Sequence, residues 1–375
     1  MTLQFEALPV GRGDAFLLRD GDSVFLFDGG QYTDQVTKFL IDRNVSHLNA
    51  AICSHNDVDH VGGIIGILES EIRVDEVWIP ASWCNFLATA AESKVWPSTL
   101  LSEIYSKPEI LNDWKSCNEE KQASSKMSDE SSDIDTKIID VKLNEFLDGT
   151  LYRLEDIIGN FPLCFFLEIF LYSKDGQEYL PLIGMLAAGE RIIKIIEHAY
   201  NKGCCIRFFE YNHACQSNQA AVDNTAFKPL NCREMDQIKR YPTLARSLYL
   251  TVVNRQSLVF QYSSPKGCHV LFTAESDLSF QNEKPLKFNY PTIVTAPHHG
   301  SADNKEVYGV IQGESLTWVR SDFRYEKRPC TEYIQQKIRY CTICRPAIGN
   351  KQSVAMEWDG AFWRRKNNTF PCTCK

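Results

Sequence analysis

The sequence has no excess of positive charge: 40 lysines and arginines stand against 48 aspartates and glutamates, for a net charge of -8. A general nucleic-acid coat protein, whose affinity comes from many basic side chains, is thereby excluded. An enzyme that grips one or two phosphates through metal ions is not. Long apolar runs are missing as well. The most apolar stretch, residues 163–172, is too short to span a bilayer and carries Glu168. Met1-Thr2-Leu3-Gln4-Phe5-Glu6 lacks the basic and apolar regions of a signal peptide. The expectation is a cytoplasmic chain with no membrane partner. Repeats at a fixed short period are absent, so a stacked-repeat architecture is not expected.

What is present is ordinary in bulk. A hydrophobic share of 44% and a charged share of 23% allow a sizeable core, and 375 residues make one large domain or two ordinary ones. Fourteen cysteines are many for a reducing compartment. Disulfide scaffolds are usually short and secreted. Reduced core cysteines plus one metal-binding cluster account for the count better.

The first eighty residues alternate between strand and helix signals. Residues 15–18 and 24–27 are short apolar strands around the turn Asp20-Gly21-Asp22, and Asp28-Gly29-Gly30 ends the second. Val36, Phe39 and Leu40 mark one helical face, and residues 50–53 a third strand. Val61, Ile64, Ile65 and Leu68 repeat as a helix, before a strand at 74–79 that Pro80 stops. Residues 81–202 read as an insertion. Within it, 116–136 are polar, serine-rich and acidic, the composition of a flexible loop, while Ile192, Ile195, Ile196 and Ala199 have helical spacing. Strands return at 205–209, 258–262, 269–272 and 292–295. A closing section, 311–375, holds a strand at 315–319, a helix over 331–340 and a hairpin joining 354–358 to 361–363 through Asp359-Gly360. The α/β division expected is therefore 1–80 and 203–310 as two halves packed sheet against sheet, with 81–202 inserted and 311–375 closing.

The chemistry concentrates in Ser54-His55-Asn56-Asp57-Val58-Asp59-His60-Val61-Gly62-Gly63. Four potential ligands, His55, Asp57, Asp59 and His60, lie just after a strand and just before a helix. Neither a pure strand nor a pure helix aims all four at one point, but a tight strand-to-helix turn does. Imidazole and carboxylate together suit zinc, iron or manganese. Gly62 and Gly63 let the start of the helix pack close to the turn. Read alone, the block is also compatible with a polar loop that is merely rich in Asp and His.

The block resembles the HxHxDH metal motif of the metallo-β-lactamase superfamily. More narrowly, the chain is similar to the hydrolase domain of ComEC-type DNA-uptake proteins and their soluble relatives. Val10-Gly11-Arg12-Gly13-Asp14-Ala15 and Phe27-Asp28-Gly29-Gly30 resemble that family's VGxGDA turn and IDGG. Ser257-Leu258-Val259 leads to Phe272-Thr273-Ala274-Glu275, where relatives carry an SLVL strand and a TGD turn. Ala296-Pro297-His298-His299-Gly300-Ser301 is similar to PHHGS.

The resemblance implies a four-layer αββα sandwich, here with a middle insertion and a cysteine-bearing C-terminal extension. It also implies two divalent ions, zinc or manganese. Carried over, His55 and Asp57 hold one ion, Asp59 and His60 the other, and Glu275 stands where a bridging aspartate is usual. His299 closes the second site, with His298 the less favoured candidate. The catalytic set is Asp59 with Asp14 and Asp28, the last two orienting ligands. The sequence departs from the pattern at Asp57, which replaces a histidine, and at Glu275. No clear residue stands for the family's middle histidine, and His213 and His198 are the stand-ins. More carboxylate favours harder ions such as manganese or magnesium over zinc.

The activity implied is a metal-activated water attacking a phosphodiester or nucleic acid. The alternatives are a binding or regulatory protein that kept the fold and lost turnover, and a hydrolase of non-phosphate esters.

A separate signal lies near the end. Cys341-Thr342-Ile343-Cys344 and Cys372-Thr373-Cys374 have the spacing of a closed structural zinc site, with Cys330 as a possible substitute ligand. Cys53, Cys204, Cys205 and Cys268 read as small buried side chains. Arg364-Arg365-Lys366 reads as a solvated edge, and Arg320 and Arg328 as rim residues near His299.

Overall fold

The computed structural model describes residues 2–91, 96–106, 137–139, 180–212, 222, 225–235, 238–241, 243–249, 251, 256–281, 284–322, 328–344, 351–366 and 368–375. Segments 116–136 and 163–172 and His213 lie outside the described residues. Two compact units emerge: Met1–Pro80 with His198–Glu234 and Asn254–Lys375, and Ala81–Glu197 with Met235–Val253.

The first unit is built on two sheets. The larger runs Trp363–Arg365, Val354–Trp358, Leu3–Ala7, Phe16–Asp20, Ser23–Phe27, His47–Ile52, Arg73–Pro80, Cys205–Tyr211, Cys232–Glu234. The smaller runs Arg339–Cys341, Leu316–Arg320, Thr292–Thr295, Cys268–Phe272, Phe260–Ser264, Phe227–Pro229. Leu3-Gln4-Phe5-Glu6-Ala7 alternates buried and half-buried positions, the period of a strand with one face in a core. The two sheets share that core: Phe5, Phe16 and Phe27 of the larger meet Phe260, Tyr262 and Phe272 of the smaller. Phe27 and Phe272 stack across it with centroids 4.6 Å apart. Each fully buried aromatic contributes about 1.5–3 kcal/mol of transfer free energy, which makes this seam a large apolar support of the unit.

The other face of the smaller sheet has a core of its own, where Leu271, Val294 and Trp318 meet Val307, Tyr308, Ile311 and Tyr333. The helices Thr33–Asp42 and Val58–Glu69 bury Val36 and Leu40, and Val61, Ile64, Ile65 and Leu68, the faces expected from their spacing.

The second unit holds the helices Ala81–Ala90, Trp96–Ser106 and Leu244–Tyr249 and the ladder of Lys137–Ile139 with Ile238–Arg240. Glu103 accepts from the backbone N–H groups of Leu244 at 3.0 Å and Ala245 at 2.9 Å. These are first-turn donors with no partner inside their own helix, and a carboxylate there also meets the helix dipole favourably. Ile192, Ile195, Ile196 and Ala199 are buried on the helix Leu180–Asn201.

Some expectations are corrected. The helix expected over 331–340 is only Thr331–Ile334, and Arg339–Cys341 is instead a strand beside Leu316–Arg320. Ladder hydrogen bonds to that neighbour outweigh the weak local helical preference of so short a run. Cys205 is exposed at its strand start, whereas Cys53, Cys204 and Cys268 are buried. Among the described residues no helix is long and apolar enough to cross a membrane.

Candidate metal centre

Except for Asp14, which precedes the strand Phe16–Asp20, the candidate residues lie in segments that follow strand ends. Asp28 follows Ser23–Phe27, the block from Ser54 to His60 follows His47–Ile52, Glu275 follows Cys268–Phe272, and His298 and His299 follow Thr292–Thr295. The first two of these strands pair in parallel, as do the last two, so within each sheet the loops after them leave from one end.

Close backbone approach shapes the centre. At Gly13, with φ of +91°, a Cβ would lie 1.6 Å from the carbonyl oxygen of Asp59, and the next residue, Asp14, donates its N–H to that oxygen at 3.2 Å. At Gly63 a Cβ would lie 2.0 Å from the Gly29 carbonyl oxygen, so the helix Val58–Glu69 touches the loop after Phe27 where any side chain would part them. Four non-glycine residues here adopt left-handed backbone: Asp28 (φ 58°), Ala274 (47°), His298 (46°) and His299 (54°). Such conformations persist only where their surroundings enforce them, and they gather at functional sites.

Four histidines converge, and each is held by its Nδ1. Asp28 Oδ2 lies 2.8 Å from His60 Nδ1, and Asp14 Oδ1 lies 3.1 Å from His299 Nδ1. Ser54 Oγ lies 2.9 Å from His55 Nδ1. The Ser54 hydroxyl spends its one hydrogen on Asp28 Oδ2 at 2.7 Å, so it accepts from His55. Asn304 donates its Nδ2 to the Glu275 carbonyl at 3.0 Å, which leaves its Oδ1 to accept from His298 Nδ1 at 3.2 Å. With all four Nδ1 atoms committed, all four Nε2 atoms face inward.

Glu275 occupies the middle. Its Oε1 is 3.4 Å from His60 Nε2 and 3.1 Å from His299 Nε2. Its Oε2 is 3.7 Å from His55 Nε2 and 3.6 Å from His298 Nε2. Asp57 Oδ2 lies 3.7 Å from His55 Nε2, and Asp59 Oδ2 lies 3.8 Å from His299 Nε2. Ligand atoms of His55, His60 and Glu275 lie within 4.8 Å of one another, as do those of Asp14, His60 and His299, while His298 reaches Glu275 Oε2, Asp57 reaches His55 and Asp59 reaches His299. The Nε2 atoms of His55 and His298 are buried with no partner at hydrogen-bond distance, as is Asp14 Oδ2. Buried polar atoms are seldom left so, unless a ligand completes them.

The electrostatics match. Burial pushes the Glu275 carboxyl upward, but His298, His299, His60 and His55 outweigh it and hold the group well below the usual range. Burial works against a charged His299, yet Asp14 and its neighbours push it up to about 10. His60 is raised well above the ordinary value by Asp28 and Glu275 against the same penalty. His298 is lowered by burial, and Asp14 is raised by it. The carboxylates thus hold positive charge inside the cluster, and a divalent cation competes for the same place by displacing protons.

Among the described residues the cluster is exposed at two of its aspartates. The side chains of His55, His60, Glu275, His298 and His299 are buried, whereas those of Asp57 and Asp59 are 27% and 15% exposed. Arg12, 47% exposed, sets its Nε 3.7 Å from Asp59 Oδ2.

The structure brings together Asp14, Asp28, His55, Asp57, Asp59, His60, Glu275, His298 and His299. It leaves His198 out, 3.4 Å from Glu69 instead. Arg320 is not on the rim: it is fully buried, donating its Nε to the His299 carbonyl at 2.5 Å. Arg328 pairs with Asp322 at 3.2 Å. Ser54 and Asn304 were missed as supports. Ser54 is legible in hindsight beside His55, while Asn304 carries no local signal.

No curated protein matches the chain. Residues 8–100, which include Asp14, Asp28 and the whole block from His55 to His60, match the model of the Metallo-beta-lactamase superfamily.

Proposed function

We propose that the chain is a metal-dependent phosphodiesterase or nuclease with a centre for two divalent cations, in a four-layer αββα arrangement like the hydrolase domain of ComEC-type proteins. The observation that carries the reading is the set of four inward Nε2 atoms divided between the two oxygens of Glu275. Ligands about 2.0–2.1 Å from one ion in a tetrahedral shell lie about 3.4 Å from each other. The neighbouring donors here are 3.1 to 3.8 Å apart. His298 then supplies what the sequence lacks, standing in for the middle histidine.

Cations bound there supply positive charge against the substrate oxygens and lower the pKa of water. The chain's own groups do the rest. Asp14, Asp28, Ser54 and Asn304 fix each imidazole with its Nε2 inward, so loading displaces protons from His60 and His299 without turning the rings. Asp59, at the open side, orients the attacking water. Arg12 faces the same opening and meets an anionic phosphate as it arrives. Three carboxylates (Asp57, Asp59 and Glu275) against two divalent cations leave one net positive charge before any hydroxide is counted, so an anionic phosphodiester is attracted, but less strongly than by a two-carboxylate site. The carboxylate-rich set favours manganese over zinc.

The test is elemental analysis of the purified chain beside Asp59→Ala/His60→Ala, followed by manganese-supplemented assays on DNA, RNA, cyclic dinucleotides and carboxylic esters. Metal in excess of the variant, with cleavage of a phosphodiester, is the expected result. A wild type that takes up no more divalent ion than the variant sinks the proposal. Full loading with no turnover of any ester would favour a binding protein instead, the reading that the replacements at Asp57 and Glu275 support.

A further inference from the structure

The thiols of Cys341, Cys344, Cys372 and Cys374 lie within 4.8 Å of one another. Cys374 Sγ is 3.9 Å from Cys341 Sγ and 3.5 Å from Cys344 Sγ. A tetrahedron with zinc–sulfur bonds of about 2.3 Å has edges of about 3.8 Å. Bonded sulfurs stand only about 2.05 Å apart. The spacing is that of thiolates around an ion.

The backbone around the cluster is already organised. One side chain, Gln352, donates its Nε2 to the carbonyls of Cys341 at 2.8 Å, Cys344 at 2.9 Å and Phe370 at 3.0 Å. Its Oε1 accepts from the Phe370 N–H at 2.9 Å. Cys372 N–H donates to the Arg339 carbonyl at 2.9 Å, and Thr373 N–H points at Cys344 Sγ at 3.3 Å. N–H donors to sulfur stabilise thiolate over thiol. The two cysteine-bearing segments are thus held in register by groups that do not themselves ligate.

A short path leads from this cluster to the histidines. Cys341 ends the strand Arg339–Cys341 and pairs in register with Arg320. Thr342 N–H donates to the Arg320 carbonyl at 3.1 Å. Arg320 in turn donates to the carbonyl of His299, a residue in left-handed backbone, and its Nη2 lies 3.2 Å from Asp322. Cys330 N–H ties the next carbonyl, that of Gly300, at 2.8 Å.

We propose that Cys341, Cys344, Cys372 and Cys374 bind one zinc ion as a closed tetrathiolate site, and that this site clamps the strand pair on which Arg320 sits and so holds the His298–His299 turn. Arg320 is then a positioning residue: it touches no reacting atom and acts through the His299 carbonyl. Four thiolates around one divalent ion carry net negative charge, and the fully buried Arg320 guanidinium, in attraction with Cys341 and Cys374, offsets part of it. The zinc half stands on the cysteines alone. The clamp half rests on the reading of the histidines as a metal centre.

X-ray absorption at the zinc edge tests the first half on the full chain carrying Asp59→Ala/His60→Ala, where the histidine centre is disabled. One zinc per chain with four sulfurs at about 2.3 Å is expected. Absence of zinc, or a shell of nitrogen and oxygen, overturns it. Manganese titration followed by electron paramagnetic resonance tests the second half on wild type, Cys372→Ser/Cys374→Ser and Arg320→Lys. The cysteine variant should lose zinc and bind manganese at least tenfold more weakly. Arg320→Lys should keep the four-sulfur shell and show the same weakening, which separates positioning from unfolding should the cysteine variant not fold. Unchanged manganese affinity in folded variants overturns the clamp. A wild type that binds no manganese overturns the functional reading and the clamp together, and leaves the sulfur shell to stand by itself.

Discussion

Asp28 Oδ2 lies 2.8 Å from His60 Nδ1 in a pair from which solvent is wholly excluded. The same carboxylate accepts from the backbone N–H of Ser54 at 2.8 Å and from its hydroxyl at 2.7 Å. One side chain therefore orients both His60 and, through Ser54, His55.

Asp28→Asn separates the charge from the shape. Asparagine tolerates the left-handed backbone of this position and keeps an acceptor oxygen. It removes the negative charge that makes His60 a better ligand. The fold should persist with metal affinity reduced roughly 10- to 100-fold, the usual effect of losing an outer-shell carboxylate. Calorimetric titration of manganese into both proteins checks this. Equal affinities would mean that Asp28 only shapes the turn.

On the proposed two-ion reading His298 and His299, though neighbours, serve different ions, His298 in the set of His55 and His299 in that of His60. His298 Nε2 faces Glu275 Oε2, and His299 Nε2 faces Oε1. Asparagine at either position keeps the left-handed turn. His298→Asn should empty the set that contains His55, and His299→Asn the set that contains His60, so each variant should bind one ion where the wild type binds two. Metal-to-protein ratios after equilibrium dialysis decide the matter. Two ions retained in His298→Asn would return His298 to a merely structural place.

The different fates of these residues show what the sequence could express. The block from His55 to His60 was legible because its ligands lie within one turn, between a strand and a helix whose apolar spacing was plain. Glu275 and His299 entered only through resemblance, since nothing local ties them to that turn. In the sequence His298 ranks below His299, because the resemblance places the ligand histidine just before a small-residue pair. That both turn toward Glu275 depends on two consecutive left-handed histidines, a conformation that propensity counts against. Arg320 was placed at the rim only by its proximity in the chain to His299, and arginine is seldom fully buried. Its burial depends on Asp322 and the His299 carbonyl, partners that only the fold supplies. The strand Leu3–Ala7 was passed over although its alternation was there to read, whereas Arg339–Cys341 is too short to show a period.

The two sheets should depend on each other through their aromatic seam. Phe272 is fully buried and touches Phe5, Phe16 and Phe27. Truncating it leaves a cavity that rigid sheets cannot close. Phe272→Ala should cost about 3–5 kcal/mol in urea unfolding. Phe362→Ala, at a position 50% exposed, should stay within about 0.5 kcal/mol. Similar losses at both sites would contradict the shared core.

Gly13 and Gly360 both have positive φ, +91° and +101°, but only Gly13 is crowded. A Cβ on Gly360 meets nothing within 4 Å. Gly360→Ala therefore carries conformational strain alone, about 1–2 kcal/mol, and should leave the centre untouched. Gly13→Ala adds a collision with the Asp59 carbonyl at 1.6 Å, which can be relieved only by parting the Gly13 turn from the start of the helix Val58–Glu69, which carries Asp59 and His60. A shift of about 1 Å in a catalytic constellation is enough to cost about 100-fold in rate. Gly13→Ala should thus lower manganese affinity at least tenfold and abolish turnover, with a melting temperature below that of Gly360→Ala. If the two variants titrate alike, close packing of the Gly13 turn against Asp59 does not set the geometry of the centre.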